Sequence, residues 1–68
     1  MSTLALNISR FRKEAGLTQE ELAKSLDVTQ TVIWRYERGR RKPEPERLLE
    51  LADALGVTTD ALLGRNHG

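Results

Sequence analysis

Apolar residues return along this chain at intervals of three and four, and no stretch alternates apolar with polar residues over the length of a strand. The pattern is helical throughout. Leu4, Ile8, Phe11 and Ala15 make the apolar stripe of a first helix that Gly16 stops. Thr18 and Glu21 form a Thr-x-x-Glu capping box ahead of Leu22, Ala23 and Leu26, which start and line a second. Thr29 is placed to cap a third helix, with Ile33 and Tyr36 on its inner face and Gly39 as its end. Pro45 suits the first turn of a fourth, carrying Leu48, Leu51, Ala52 and Leu55 up to Gly56. Thr58 opens a short fifth helix with Asp60, Leu62 and Leu63.

Only Asp27 and Val28 separate the second helix from the Thr29 cap. Helices joined so tightly cannot lie antiparallel and must cross steeply, as in a helix-turn-helix. That joint needs one residue in a left-handed backbone conformation, and Asp27 is the candidate, since Asp tolerates it better than most non-glycine residues. The expected fold class is all-α: a compact five-helix bundle over residues 1–64, with a frayed tail at 65–68.

Composition narrows the chemistry. Sixty-eight residues are room for one small domain. There is no cysteine, hence no disulfide framework or thiolate metal site, and the one histidine, His67, is next to last. No apolar run approaches the length of a membrane span, and the first ten residues lack the layout of a signal peptide. The expectation is a cytoplasmic protein without membrane association, metal or cofactor. No phosphate-binding glycine loop or metal-ligand spacing is present, and the carboxylates alternate with bases as on solvated helix faces, so an enzyme is not expected.

The formal charge of +1 conceals an uneven distribution. Between Arg35 and Lys42 lie five bases (Arg35, Arg38, Arg40, Arg41, Lys42) and one acid, Glu37, a net of +4; the remainder holds six bases and nine acids, a net of −3. On charge alone, a polyanion partner and a solvated charged turn fit equally well.

From Leu17 to Gly39 the sequence, LTQEELAKSLDVTQTVIWRYERG, resembles the Cro and phage-repressor (XRE-like) helix-turn-helix proteins. The likeness extends from Ile8 to Gly64 through RRKPEPERLLELADALGVTTDALLG. It includes Gln19 after the cap, the Glu-Leu-Ala triplet at 21–23, the Glu-x-Gly of Glu37 and Gly39, the Leu-Gly-Val-Thr joint at 55–58 and the closing Leu62-Leu63. Three positions depart from the family pattern: Asp27 stands where glycine is usual, Trp34 where a small or polar residue is usual, and Glu44 where a serine cap is common. The resemblance implies a phage-repressor type of DNA-binding domain, with the second and third helices as its helix-turn-helix.

A recognition helix is apolar inside and rich in donors and acceptors outside. Ile33, Tyr36 and Glu37 fall on one face of the third helix, and Gln30, Thr31, Trp34, Arg35 and Arg38 on the other. In the major groove, Gln pairs with adenine, Arg with guanine, and a side-chain methyl meets the thymine methyl. Gln30, Thr31 and Arg35 are therefore the expected base readers, with Val32 and Trp34 as apolar contacts. An exposed Trp34 has further readings: packing on a sugar, seating the Arg40–Pro43 loop, or a protein contact. Thr18 and Gln19, at the positive end of the second helix, and Arg38, Arg40, Arg41 and Lys42 are the expected phosphate contacts. Arg10 and Lys13 are weaker candidates that solvation explains as well. Arg12 lies in the apolar stripe of the first helix and Glu37 on the inner face of the third, and each needs a partner there, so they are expected to pair.

The expected function is a sequence-specific, double-stranded-DNA-binding transcription regulator, a repressor or controller reading an inverted repeat as a homodimer. Leu49, Leu62 and Leu63 are candidate dimer contacts that serve equally well as core. The alternative is an antitoxin-like or interaction module whose main partner is a protein, as in toxin–antitoxin or restriction-control systems.

Overall fold

The computed structural model describes residues 3–65. It contains helices α1 (Thr3–Glu14), α2 (Gln19–Ser25), α3 (Gln30–Glu37), α4 (Pro45–Leu55) and α5 (Thr59–Leu63). No strand occurs among the described residues, and none of their helices is long and apolar enough to cross a membrane. Residues 66–68 of the expected frayed tail lie outside the described residues.

Each helix gives one large side chain to the centre: Ile8, Leu22, Ile33, Leu51 and Leu62 are all fully buried. Burying each contributes about 1.5–3 kcal/mol, and all five helices depend on the same cluster. Helix α1 packs on α3, α4 and α5, α2 packs on α3, and α4 on α5. One position of the expected apolar stripe of α1 differs. Ala15 lies beyond the last turn of α1 and is exposed, since the helix ends at Glu14. Leu62 is wholly inside the core and cannot be a dimer contact, whereas Leu49 (58%) and Leu63 (38%) are exposed.

Side-chain donors also tie helix ends together. Asn7 Nδ2 donates to the carbonyls of Ala61 (3.2 Å) and Leu62 (3.0 Å) at the end of α5. Arg47 on α4 donates to the carbonyl of Leu26 (3.0 Å), so the fourth helix holds the end of the second. At the start of α2 the capping box is complete: the Glu21 amide donates to the Thr18 hydroxyl and the Thr18 amide to the Glu21 carboxylate. The Thr18 amide holds the Glu21 carboxyl below the ordinary glutamate range, and the Thr18 hydroxyl and Lys24 act the same way. Thr58 caps α5 through the Ala61 amide. Thr29 is the N-cap residue of α3 but makes no side-chain cap, contrary to expectation.

All five helices end alike. Each closes on a left-handed residue, the C-cap itself in α4 and α5 and the residue after it in α2 and α3, which donates to the carbonyl three positions back, and the next residue donates five positions back, as in Leu17 to Arg12, Val28 to Ala23, Arg40 to Arg35, Val57 to Ala52 and Arg65 to Asp60. Four of the left-handed residues are glycines, and the fifth is Asp27 (φ 57). The strained position therefore falls in the turn between α2 and α3, as the sequence indicated.

Candidate nucleic-acid interface

Helix α3 is eight residues long, and its two faces share almost no properties. Inward it buries Ile33, Tyr36 and Glu37; outward it exposes Gln30, Thr31, Trp34 and Arg35, and Arg38 follows as the exposed C-cap. Val32 is half-buried and packs against the core.

The inner face is anchored by charge. Arg12 Nε and Nη2 grip the Glu37 carboxylate at 2.6 and 3.1 Å, with side-chain exposures of 11% and 6%. Arg12 Nη1 also donates to the Leu17 carbonyl (2.8 Å). This is fork-on-carboxylate geometry, the strongest form of the pair, and it binds α1 to α3 and to the loop before α2. No buried side-chain nitrogen or oxygen among the described residues lacks a partner.

The chain of bonds then runs outward. Gln19 Nε2 donates to Glu37 Oε1 (3.1 Å), and Gln30 Nε2 donates to Gln19 Oε1 (3.4 Å). A buried ion pair thus fixes the Gln19 amide, and Gln19 orients Gln30, leaving the Gln30 carbonyl oxygen and its second N–H free to face outward. That donor–acceptor pair matches the N7 and N6 edge of adenine. The position of Gln19 at the start of α2 indicates a phosphate contact; the bridge to Glu37 and Gln30 arises from the packing of α2 on α3. Gln19, Gln30, Thr31 and Trp34 line one open cleft of about 210 Å³.

The basic segment divides. Arg41 lies 3.8 Å from Glu44 and near the Tyr36 ring. The Arg38 and Arg40 guanidiniums both lie over Trp34, and Arg35, Arg38, Arg40 and Lys42 make no ion pair among the described residues. Arg10 is engaged within α1, with Glu14 (3.2 Å) and over Phe11. Among the described residues no cluster of His, Cys, Asp and Glu is arranged to hold a metal ion.

A helix-turn-helix family model matches residues 8–62, from the core residue Ile8 to the core residue Leu62. The chain belongs to the helix-turn-helix family. This helix-turn-helix protein is 36% identical over 65 residues to the HTH-type transcriptional regulator ImmR of Bacillus subtilis, which covers 96% of this chain and 51% of that protein. It is 48% identical over 52 residues to the uncharacterised HTH-type transcriptional regulator y4dJ of Sinorhizobium fredii, covering 76% of this chain and 68% of that one. The chain thus spans about half the length of ImmR. Among solved structures, it superposes on the P22 c2 repressor in complex with synthetic operator 9T with a TM-score of 0.87 at 30% identity, covering 97% of this chain and all of that one. The all-α, phage-repressor-like fold class is therefore that of its neighbours.

Proposed function

We propose that this chain is a DNA-binding transcription regulator that lays α3 in the major groove of an operator. The observation that carries the proposal is the outward face of α3: a row of exposed hydrogen-bonding and cationic groups, Gln30, Thr31, Arg35 and Arg38, held on a helix whose inner face is locked by Arg12 and Glu37. A rigid helix with free donors and acceptors at its first turns is what base readout needs. The fit of the whole chain to a repressor solved with its operator supports the same reading.

Residue roles follow from position. Gln30, Thr31 and Arg35 read base edges, with the Val32 methyls beside them. Arg38, Arg40, Arg41 and Lys42 contact phosphates, and the amides at the start of α2 that the Thr18 capping box leaves open, beside Gln19, donate to another. Four cationic phosphate contacts give a log–log salt dependence of affinity with a slope of about −3 to −4. One α3 reads too few base pairs for useful specificity, so the regulator acts as a homodimer on an inverted repeat with half-sites about 34–36 Å apart, and the exposed Leu49 and Leu63 are available for that contact.

Selection of sheared genomic DNA by the purified protein, followed by sequencing, tests this. A short inverted repeat near promoters is the expected product. An empty selection by well-folded protein overturns it and transfers the role to a protein partner.

A further inference from the structure

Trp34 is the only tryptophan of the chain, and it stands 39% exposed on the outward face of α3. The guanidinium carbon of Arg38 lies 5.4 Å from its ring centroid and that of Arg40 lies 5.6 Å away. Arg38 reaches it from one turn further along the helix. Arg40 reaches it because the chain reverses through the left-handed Gly39 and returns the Arg40 amide to the Arg35 carbonyl. Two like charges are thus gathered at one ring. Neither meets a carboxylate among the described residues, whereas Arg10, Arg12, Arg41 and Arg47 each meet a glutamate. The negative π face offsets part of the repulsion between the two cations, but it neutralises neither. The arrangement lacks an anion, and it stands at the C-terminal end of the outward face of α3.

We propose that Trp34 is a positioning residue, whose ring gathers Arg38 and Arg40 into a preformed clamp for the phosphate backbone. Long arginine side chains lose rotamer freedom when they bind a phosphate, and a ring that orders them beforehand lowers that cost at the moment of binding. The gain is the same for every base sequence. This inference rests on the duplex-binding reading and assigns to Trp34 a task other than apolar contact with a base.

Two measurements on the full chain test it. In the free protein, Arg38→Gln and Arg40→Gln each change the emission of Trp34, the sole fluorophore of its kind; if neither does, the clamp does not exist and the proposal falls. With a random-sequence pool of labelled duplexes of about 24 bp, anisotropy titrations between about 50 and 200 mM salt compare wild type, Trp34→Ala and Trp34→Phe. Trp34→Ala is expected to bind about tenfold more weakly at the midpoint, with a salt slope shallower by about 1–2, and Trp34→Phe to recover most of both. Far-UV circular dichroism establishes that both variants are folded. Equal affinity and slope for Trp34→Ala and wild type would overturn the clamp alone. So would a Trp34→Ala that changes preference at one base position with its slope unmoved, which makes Trp34 a base contact. Wild type that fails to bind the pool at any salt overturns the duplex-binding reading together with the clamp.

Discussion

Arg12 and Arg40 carry the same guanidinium, and the fold treats them in opposite ways. Arg12 sits between helices, nearly buried, with a carboxylate and a backbone carbonyl satisfying its donors. Arg40 sits outside with an aromatic ring and no acid near it. Glu37 and Arg35, two residues apart, repeat the contrast on one helix: the acid faces in and is gripped by two side chains, the base faces out and is gripped by none. Burial explains the difference. A charge removed from water must be partnered inside the molecule, because the desolvation cost is several kcal/mol per ion. A charge left in water needs no internal partner and remains available to an external one. Helix α3 therefore presents a rigid inside and an unsatisfied outside, which is the condition for binding a polyanion without rearrangement.

The sharpest way to break this contrast is to remove a charge from the inside. Arg12→Ala or Glu37→Ala should cost about 3–5 kcal/mol, comparable with a total stability of about 5 kcal/mol for a domain this small, and so unfold much of the protein at room temperature. Replacing both partners together, as Arg12→Met with Glu37→Leu, should recover a large part of the loss. Urea titrations read both. A single variant that unfolds at the wild-type urea concentration sinks the idea that the pair organises α3.

On the outside the same kind of change should leave stability within about 0.5 kcal/mol and act on DNA instead. Arg35→Ala is expected to cost about 1–3 kcal/mol at the base pair it reads and to relax preference there, seen by repeating the selection. Arg40→Ala should weaken binding to all sequences alike and make the salt slope shallower by about 0.9, while Arg41→Ala, whose charge is shared with Glu44, should do less. If Arg35→Ala and Arg41→Ala both bind with wild-type affinity and preference, the docking geometry is wrong.

Smaller effects lie at the joint between α2 and α3. Asp27→Gly relieves the one non-glycine left-handed residue among the described ones and should stabilise the fold by about 0.5–1 kcal/mol, even though glycine loses more entropy on folding. A melting temperature unchanged or lowered by this substitution would mean that the Asp27 side chain makes good its own strain. Glu21 gives the smallest effect. Its folded-state pKa is depressed, so its contribution is complete above the ordinary glutamate range and is lost as pH falls through the lowered value. Glu21→Gln, which keeps a side-chain oxygen for the capping box, should lose less stability than wild type over that acid range.

The readable parts of the molecule were those decided within a few residues. Four glycines and Asp27 fix where helices stop, because the left-handed residue that closes each helix is a local requirement. The capping box at Thr18 and Glu21 depends on a spacing of three, and the two faces of α3 on a period of 3.6. The Arg12–Glu37 pair was legible for a different reason: two charges stranded on apolar faces have few ways to avoid a large desolvation cost except each other. What could not be read depends on which atoms of distant helices meet. Nothing local announces that Asn7 closes the end of α5, that Arg47 holds the Leu26 carbonyl, or that Thr29 begins α3 without a side-chain cap. Gln19 is similar: its position at the start of α2 was plain, but its amide is committed to Glu37 and Gln30 by the packing of α2 on α3. The helices, their ends and the faces they turn inward follow from short-range sterics and periodic burial, and so could be read from the order of residues alone. Which polar groups are consumed within the molecule and which, like Arg38 and Arg40 at Trp34, remain for something outside it depends on the packed fold, because it turns on distances between parts of the chain that no local rule relates.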